Sequence, residues 1–201
     1  MKKLLYTLLA VSIIFSSCEK EEENSSNNNS NNNSNNTNPS IGDFYQGGVI
    51  FYLDGNGNGL ICDVSDVANS LNQAIWGCDG DSIGVQDEAI GAGFSNTTKI
   101  VNECNDIGIA AEICYNLTKS GYSDWYLPSA EELIEIYINR DIINTTSTSN
   151  GGSALADERY WSSTEDVIPS EYAIVVEFYD EGDTKGVGKY RSFNVRAIRS
   201  F

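Results

Sequence analysis

The sequence predicts an α+β domain behind a disordered tether, with two helices flanking a small, mainly antiparallel sheet. Three observations predict it. The runs Gly48–Leu53 and Gly59–Val64 are β-branched and aromatic, and Asp54-Gly-Asn-Gly-Asn-Gly59 joins them as a hairpin turn. Two stretches carry apolar residues at helical spacing. Three later runs, Arg159–Ser163, Tyr172–Tyr179 and Tyr190–Ile198, again have strand composition. Composition shifts to ordinary globular values at Ile41, which divides the chain into a leader at 1–17, a tether at 18–40 and one domain at 41–201.

The hairpin turn also spells half of a calcium loop. Asp54, Asn56, Asn58 and Gly59 fall where an EF-hand needs them, yet Ser65 stands in place of the bidentate Glu and strands flank the segment, so a turn without metal is expected. The first helix is predicted from a cap at Asn96 or Thr97, with Ile100, Cys104, Ile107, Ala111, Cys114 and Leu117 along its buried face. A second helix is predicted to start at Ala130. Pro128 precedes it, Ser129 and Glu132 form a capping box, and Leu133, Ile136 and Tyr137 supply the apolar face. Thr145–Ser153, rich in Ser, Thr, Asn and Gly, reads as loop.

The N-terminus reads as an address. Lys2 and Lys3, the apolar run Leu4–Phe15, and Ser16-Ser17-Cys18 resemble a bacterial lipoprotein signal, which implies cleavage before Cys18 and acylation of that residue. The run is too short to span a bilayer, which takes about 20 apolar residues. Lys20, Glu21 and Glu22, with Glu19 and Glu23 beside them, resemble the lysine-then-acidic export signal of Bacteroidetes-type lipoproteins, which implies display on the outer face of the outer membrane. Asn24–Asn38 is nearly all Asn and Ser and has nothing apolar to bury. As a flexible coil, Glu19–Ser40 would hold the domain roughly 25 Å from its anchor.

A formal charge of −17 with only 12 Lys and Arg argues against a nucleic-acid partner. Histidine is absent altogether, which removes histidine triads and imidazole metal sites, so no cofactor is expected. With Cys18 reserved for lipid, Cys62, Cys78, Cys104 and Cys114 remain, an even number that reads as two disulfides in an exported chain. Sequence alone leaves three connectivities. Cys104 and Cys114 lie on one predicted helix, which makes their pairing the least expected. Two connectivities are then left, and of these the expectation is Cys78 with Cys104 and Cys62 with Cys114.

The most specific stretch is Gly121-Tyr-Ser-Asp-Trp-Tyr-Leu-Pro-Ser129 with Glu132-Leu133 following, then Tyr160-Trp-Ser-Ser-Thr164 and a closing Val195-Arg-Ala-Ile-Arg199. Together, and in this order, these segments resemble the Lcl C-terminal domain family from about Gly47 to Phe201. The resemblance implies a C-type-lectin-like fold in which the N-terminal and C-terminal strands pair. It does not bring the lectins' calcium chemistry, because the Glu-Pro-Asn or Gln-Pro-Asp loop and the Trp-Asn-Asp strand are missing. Nor does it bring the chemistry of the related oxidases, since no cysteine lies beyond Cys114.

Other catalytic readings fail on the residues. Glu131 and Glu132 point different ways on a helix, and Gly182–Lys189 has the wrong spacing and context for a phosphate loop. Trp125 and Trp161 sit inside the family motifs and read as core. The expectation is a non-catalytic surface module, an adhesin or lectin-like receptor for a glycan or protein ligand; an exported enzyme or accessory, or a structural surface subunit, is the alternative. The expected site lies in the segments Thr164–Glu171 and Asp180–Lys189, where Tyr179, Asp180 and Tyr190 border a mostly acidic surface suited to a cationic or hydroxyl-rich ligand.

Overall fold

The computed structural model describes residues 38–67, 73–167 and 170–201. Cys18, the Lys20–Glu22 signal and the tether up to residue 37 lie outside the described residues. So do residues 168–169 of the expected site.

Strands β1 (Phe44–Tyr45), β2 (Gly48–Leu53), β3 (Gly59–Asp63) and β9 (Ile198–Ser200) form one antiparallel sheet in the order β1-β2-β3-β9. The last strand therefore pairs with the early hairpin, as the family resemblance implies; Cys62 lies opposite Ile198. A second sheet runs β4 (Gln73–Ile75), β8 (Ser192–Asn194), β5 (Arg159–Glu165), β6 (Tyr172–Glu177), β7 (Thr184–Gly188), with a single parallel contact between β5 and β8.

Both faces of the central strands β2 and β3 are buried, because alternate residues feed two cores. Val49, Phe51, Leu60 and Cys62 point into one, with Leu133 of α3 (Ala130–Ile138) and Ile143 of α4 (Arg140–Ser149). Ile50 and Ile61 point into the other, with Ile100 of α1 (Gly93–Glu103) and Ala110, Ala111 and Cys114 of α2 (Ala110–Tyr115). The α+β class holds, but the described residues carry four helices and two sheets rather than two helices and one.

The differences from expectation have local causes. The predicted long first helix is two: it begins at Gly93 after Ala92, breaks at Cys104, whose backbone is extended, and resumes at Ala110. Gly108, at φ +71°, sits in the break. The expected Thr145–Ser153 loop is largely α4, anchored by fully buried Ile143. Its hydroxyls bond within the helix: Thr145 Oγ1 to the Asp141 carbonyl, Thr148 Oγ1 to Asn144 and Ser149 Oγ to Thr145. The capping box of α3 forms as predicted, with Ser129 Oγ accepting from Glu132 N and Glu132 Oε2 accepting from Ser129 N.

Among the described residues one disulfide forms, Cys78–Cys104, with Cα atoms 5.7 Å apart. The expected Cys62–Cys114 bridge does not. Both are buried free thiols, and the period-two alternation of β3 sends Cys62 into one core while Cys114 sits in the other. Burial pushes the Cys62 thiol up to about 12 and raises that of Cys114 as well.

Irregular chain from Gly77 to Gly91 covers the second sheet's end and is held by side chains of other elements. Glu165 accepts from the N–H groups of Ile83 (2.7 Å) and Gly84 (2.6 Å), and Glu132 accepts from that of Gly91. Lys189 donates to the Asp81 carbonyl, Asn96 to Asp87 and Ser129 to Ala89.

Candidate binding groove

The last third of the chain supplies the site's frame. After β5, the β6–β7 hairpin turns through Tyr179–Asp183, with Glu181 and Gly182 both at positive φ. The chain then leaves β7 at Gly188 and crosses back to β8 in three residues, Lys189, Tyr190 and Arg191. Lys189 pins this crossover from beneath. Its ammonium is fully buried, 2.6 Å from Glu165 Oε1 and 4.7 Å from the Trp76 ring centroid. Burial opposes the Glu165 charge, but bonds from Lys189 and the backbone of Ile83 and Gly84 outweigh it and hold the carboxyl below its usual range.

With Lys189 turned inward, Tyr190 and Arg191 are left outward. They close a groove of about 290 Å³ whose other walls are Arg159, Tyr172 and Lys185–Gly188. Tyr190 is 61% exposed and lies against Gly188, where a Cβ would come within 2.5 Å of its ring. Arg159 is oriented by Glu177 at 2.6 Å, and Tyr179 donates to the same carboxylate oxygen. Partial burial works against the Glu177 charge, and the Tyr179 and Arg159 bonds overcome it, so its pKa is lowered. Lys185 and Arg191 form no ion pair among the described residues.

Of the three residues expected to mark the site, Tyr190 lines this groove. Tyr179 reaches it through Glu177 and Arg159, and the Arg159 guanidinium lies 5.8 Å from its ring centroid. Asp180 sits in the hairpin turn and is not part of the lining. The groove's charge differs from that of the expected acidic segments: its lining carries three cations, with the Asp166 carboxylate against Gly186 and the Glu177 carboxylate on Arg159. Thr184–Gly188, taken for a loop, is strand β7. Sequence reasoning missed Arg159, Lys185 and Arg191 as a group because they come from a strand end, an edge strand and a crossover. Of the closing segment's other arginines, Arg196 is spent internally on Asp66 and Arg199 on Asp124.

The remaining candidates within the described residues make internal contacts. Asp54 spends its carboxylate on its own turn, accepting from Asn56 N, Asn58 N and Asn58 Nδ2, and the Asn58 side-chain bond leads in lowering its pKa. Trp161 is buried and donates to the Ala74 carbonyl; Trp125 is equally buried. Cys78 and Cys104 lie near Asp106 in a metal-like cluster, but their sulfurs are bonded to each other.

Among curated proteins, none matches the sequence. The family model described as the Lcl C-terminal domain matches residues 66–199, which span the α1–α4 helices, the second sheet from β4 onward and the groove. On that match, which covers well over half of the chain, the protein belongs to the Lcl C-terminal domain family.

Proposed function

We propose that this protein is a surface-exposed outer-membrane lipoprotein, acylated at Cys18, whose domain serves as a non-catalytic binding module. One observation carries the binding reading. Arg159, Lys185 and Arg191, three of only 12 basic residues in a chain of net charge −17, converge with Tyr172 and Tyr190 on one groove. Arg159 is held by Glu177, but Lys185 and Arg191 form no ion pair among the described residues. Tyrosine faces beside two such cations suit an anionic or hydroxyl-rich ligand, held by ring stacking and charge-assisted hydrogen bonds. The ligand class thus moves from the cationic one that the acidic sequence segments suggest to an anionic one.

Location is supported by the sequence features of residues 1–23. No helix among the described residues is long and apolar enough to cross a membrane. The proposed anchor is the lipid on Cys18. The partners are the membrane, through Cys18, and a glycan or protein met by the groove; the scarcity of Lys and Arg speaks against nucleic acid.

The test is a glycan and peptide array probed with the parent chain and with Tyr190→Ala/Arg191→Ala. Binding that survives the double substitution unchanged places the site elsewhere.

A further inference from the structure

We infer that the outer edge of β7 is a pairing site for an extended acidic polypeptide, which would enter the sheet as a sixth strand. This inference rests on the reading of the groove as the ligand site and specifies what the ligand is.

The register supplies the argument. Within the β6–β7 ladder Val175 faces Lys185 and Ala173 faces Val187, while the bonds from Glu177 N to the Asp183 carbonyl and from Lys189 N to the Glu171 carbonyl mark the odd-numbered residues as the hydrogen-bonded pairs. Lys185 and Val187 therefore spend their backbone groups on β6. Thr184, Gly186 and Gly188 aim theirs at the open edge. The Gly188 carbonyl is taken by Arg191 N, which leaves the N–H groups of all three and the carbonyls of Thr184 and Gly186 for a partner. β7 ends the sheet order, so no described strand covers this edge.

Natural edges are blunted by charge, proline or bulges; β7 has no proline and a single charge, Lys185. Here two of the three outward positions are glycine, and the same residues, Lys185–Gly188, form a wall of the cationic groove. Donors and acceptors that recur every second residue match the repeat of a β-strand, roughly 7 Å, and not that of a sugar ring. Lys185 and Arg191, which form no ion pair among the described residues, lie beside that edge and select acidic side chains on the incoming strand, while Arg159 stands two strands back on β5, held by Glu177.

The experiment uses the full chain and fluorescence anisotropy with three probes: a nine-residue peptide alternating Glu and Val, the same peptide N-methylated at alternate residues, and a galacturonate oligomer of equal charge. The unmodified peptide is expected to bind. N-methylation should weaken it about tenfold or more, since several backbone bonds go at once, and Thr184→Pro, which removes one outward N–H at the strand's first residue, about three- to tenfold. Lys185→Glu/Arg191→Glu should abolish binding. Circular dichroism melting within a few degrees of the parent certifies each variant's fold.

If peptide, methylated peptide and galacturonate bind alike and only charge reversal matters, the groove reading stands and strand pairing is wrong. Probe binding that charge reversal leaves untouched overturns both, and a parent that binds galacturonate but no peptide overturns strand pairing.

Discussion

Lys189 and Glu165 meet at 2.6 Å with neither side chain exposed to solvent, one on the crossover from β7 to β8 and the other at the end of β5. The pair couples the back of the groove to the Gly77–Gly91 segment, because Glu165 also holds the N–H groups of Ile83 and Gly84.

Removing one partner leaves the other charge buried and alone. Lys189→Met should cost about 3–5 kcal/mol, the usual consequence of orphaning a buried ion. Urea unfolding measures it; a loss under about 1 kcal/mol would contradict the coupling.

The same pair sets a pH dependence. Glu165 has its folded pKa lowered, so its contribution to stability is present above the unfolded carboxyl value and is lost as pH falls through the folded one. Stability followed by melting from pH 7 down to pH 3 should therefore fall more steeply below about pH 4.3 in the parent than in Glu165→Gln. Parallel profiles would show that Glu165 does not titrate on unfolding.

Thiol chemistry distinguishes one disulfide from two. The four domain cysteines should take up no alkylating reagent at pH 8 in the native protein, since Cys62 and Cys114 are buried and the Cys62 thiol is held up to about 12. After denaturation without reductant, mass spectrometry should find Cys62 and Cys114 modified and Cys78 still joined to Cys104. Two intact bridges in the denatured chain would refute the free pair. Reduction should cost roughly 2–4 kcal/mol.

Gly182 closes the β6–β7 turn at φ +77°, and a Cβ there would lie 2.3 Å from the Tyr137 ring of α3. Gly182→Ala should lower stability by about 1–3 kcal/mol through strain and overpacking together. A melting temperature equal to the parent's would mean that the turn is not seated on α3.

Anchoring is tested at Cys18. Cys18→Ala should remain unlabelled by a fatty-acid analogue and leave the membrane fraction, and replacing Lys20–Glu23 by Ala should protect the domain from protease added to intact cells. A labelled Cys18→Ala protein, or unchanged shaving of the second variant, would count against the lipoprotein reading.

What could be read from the chain were features whose cause is local. Ser129 and Glu132 specify a helix start within four residues, and Asp54–Gly59 specifies its own turn. α4 was not legible, because Thr145, Thr148 and Ser149 have turn composition and become helical only where Ile143 is buried and their hydroxyls find carbonyls one turn back. Cys62 and Cys114 looked like partners because sequence does not reveal which side of a doubly buried sheet each one faces. The groove was half legible. Tyr190 stood out as an aromatic at a strand edge, whereas Arg159 and Lys185 become neighbours only through the β5-β6-β7 order.

The clamps on Gly77–Gly91 grip main-chain groups: the N–H of Ile83, Gly84 and Gly91, and the C=O of Asp81, Asp87 and Ala89. Every residue carries a carbonyl and all but proline an N–H. The path of this segment is therefore insulated from the identity of its exposed residues, such as Asp79, Asp81 and Gln86. Substitutions at such residues leave the clamps in place, so the chemistry of the face can change while the backbone keeps its bonds; Gly80, Gly84 and Gly91, at positive φ, are the exceptions.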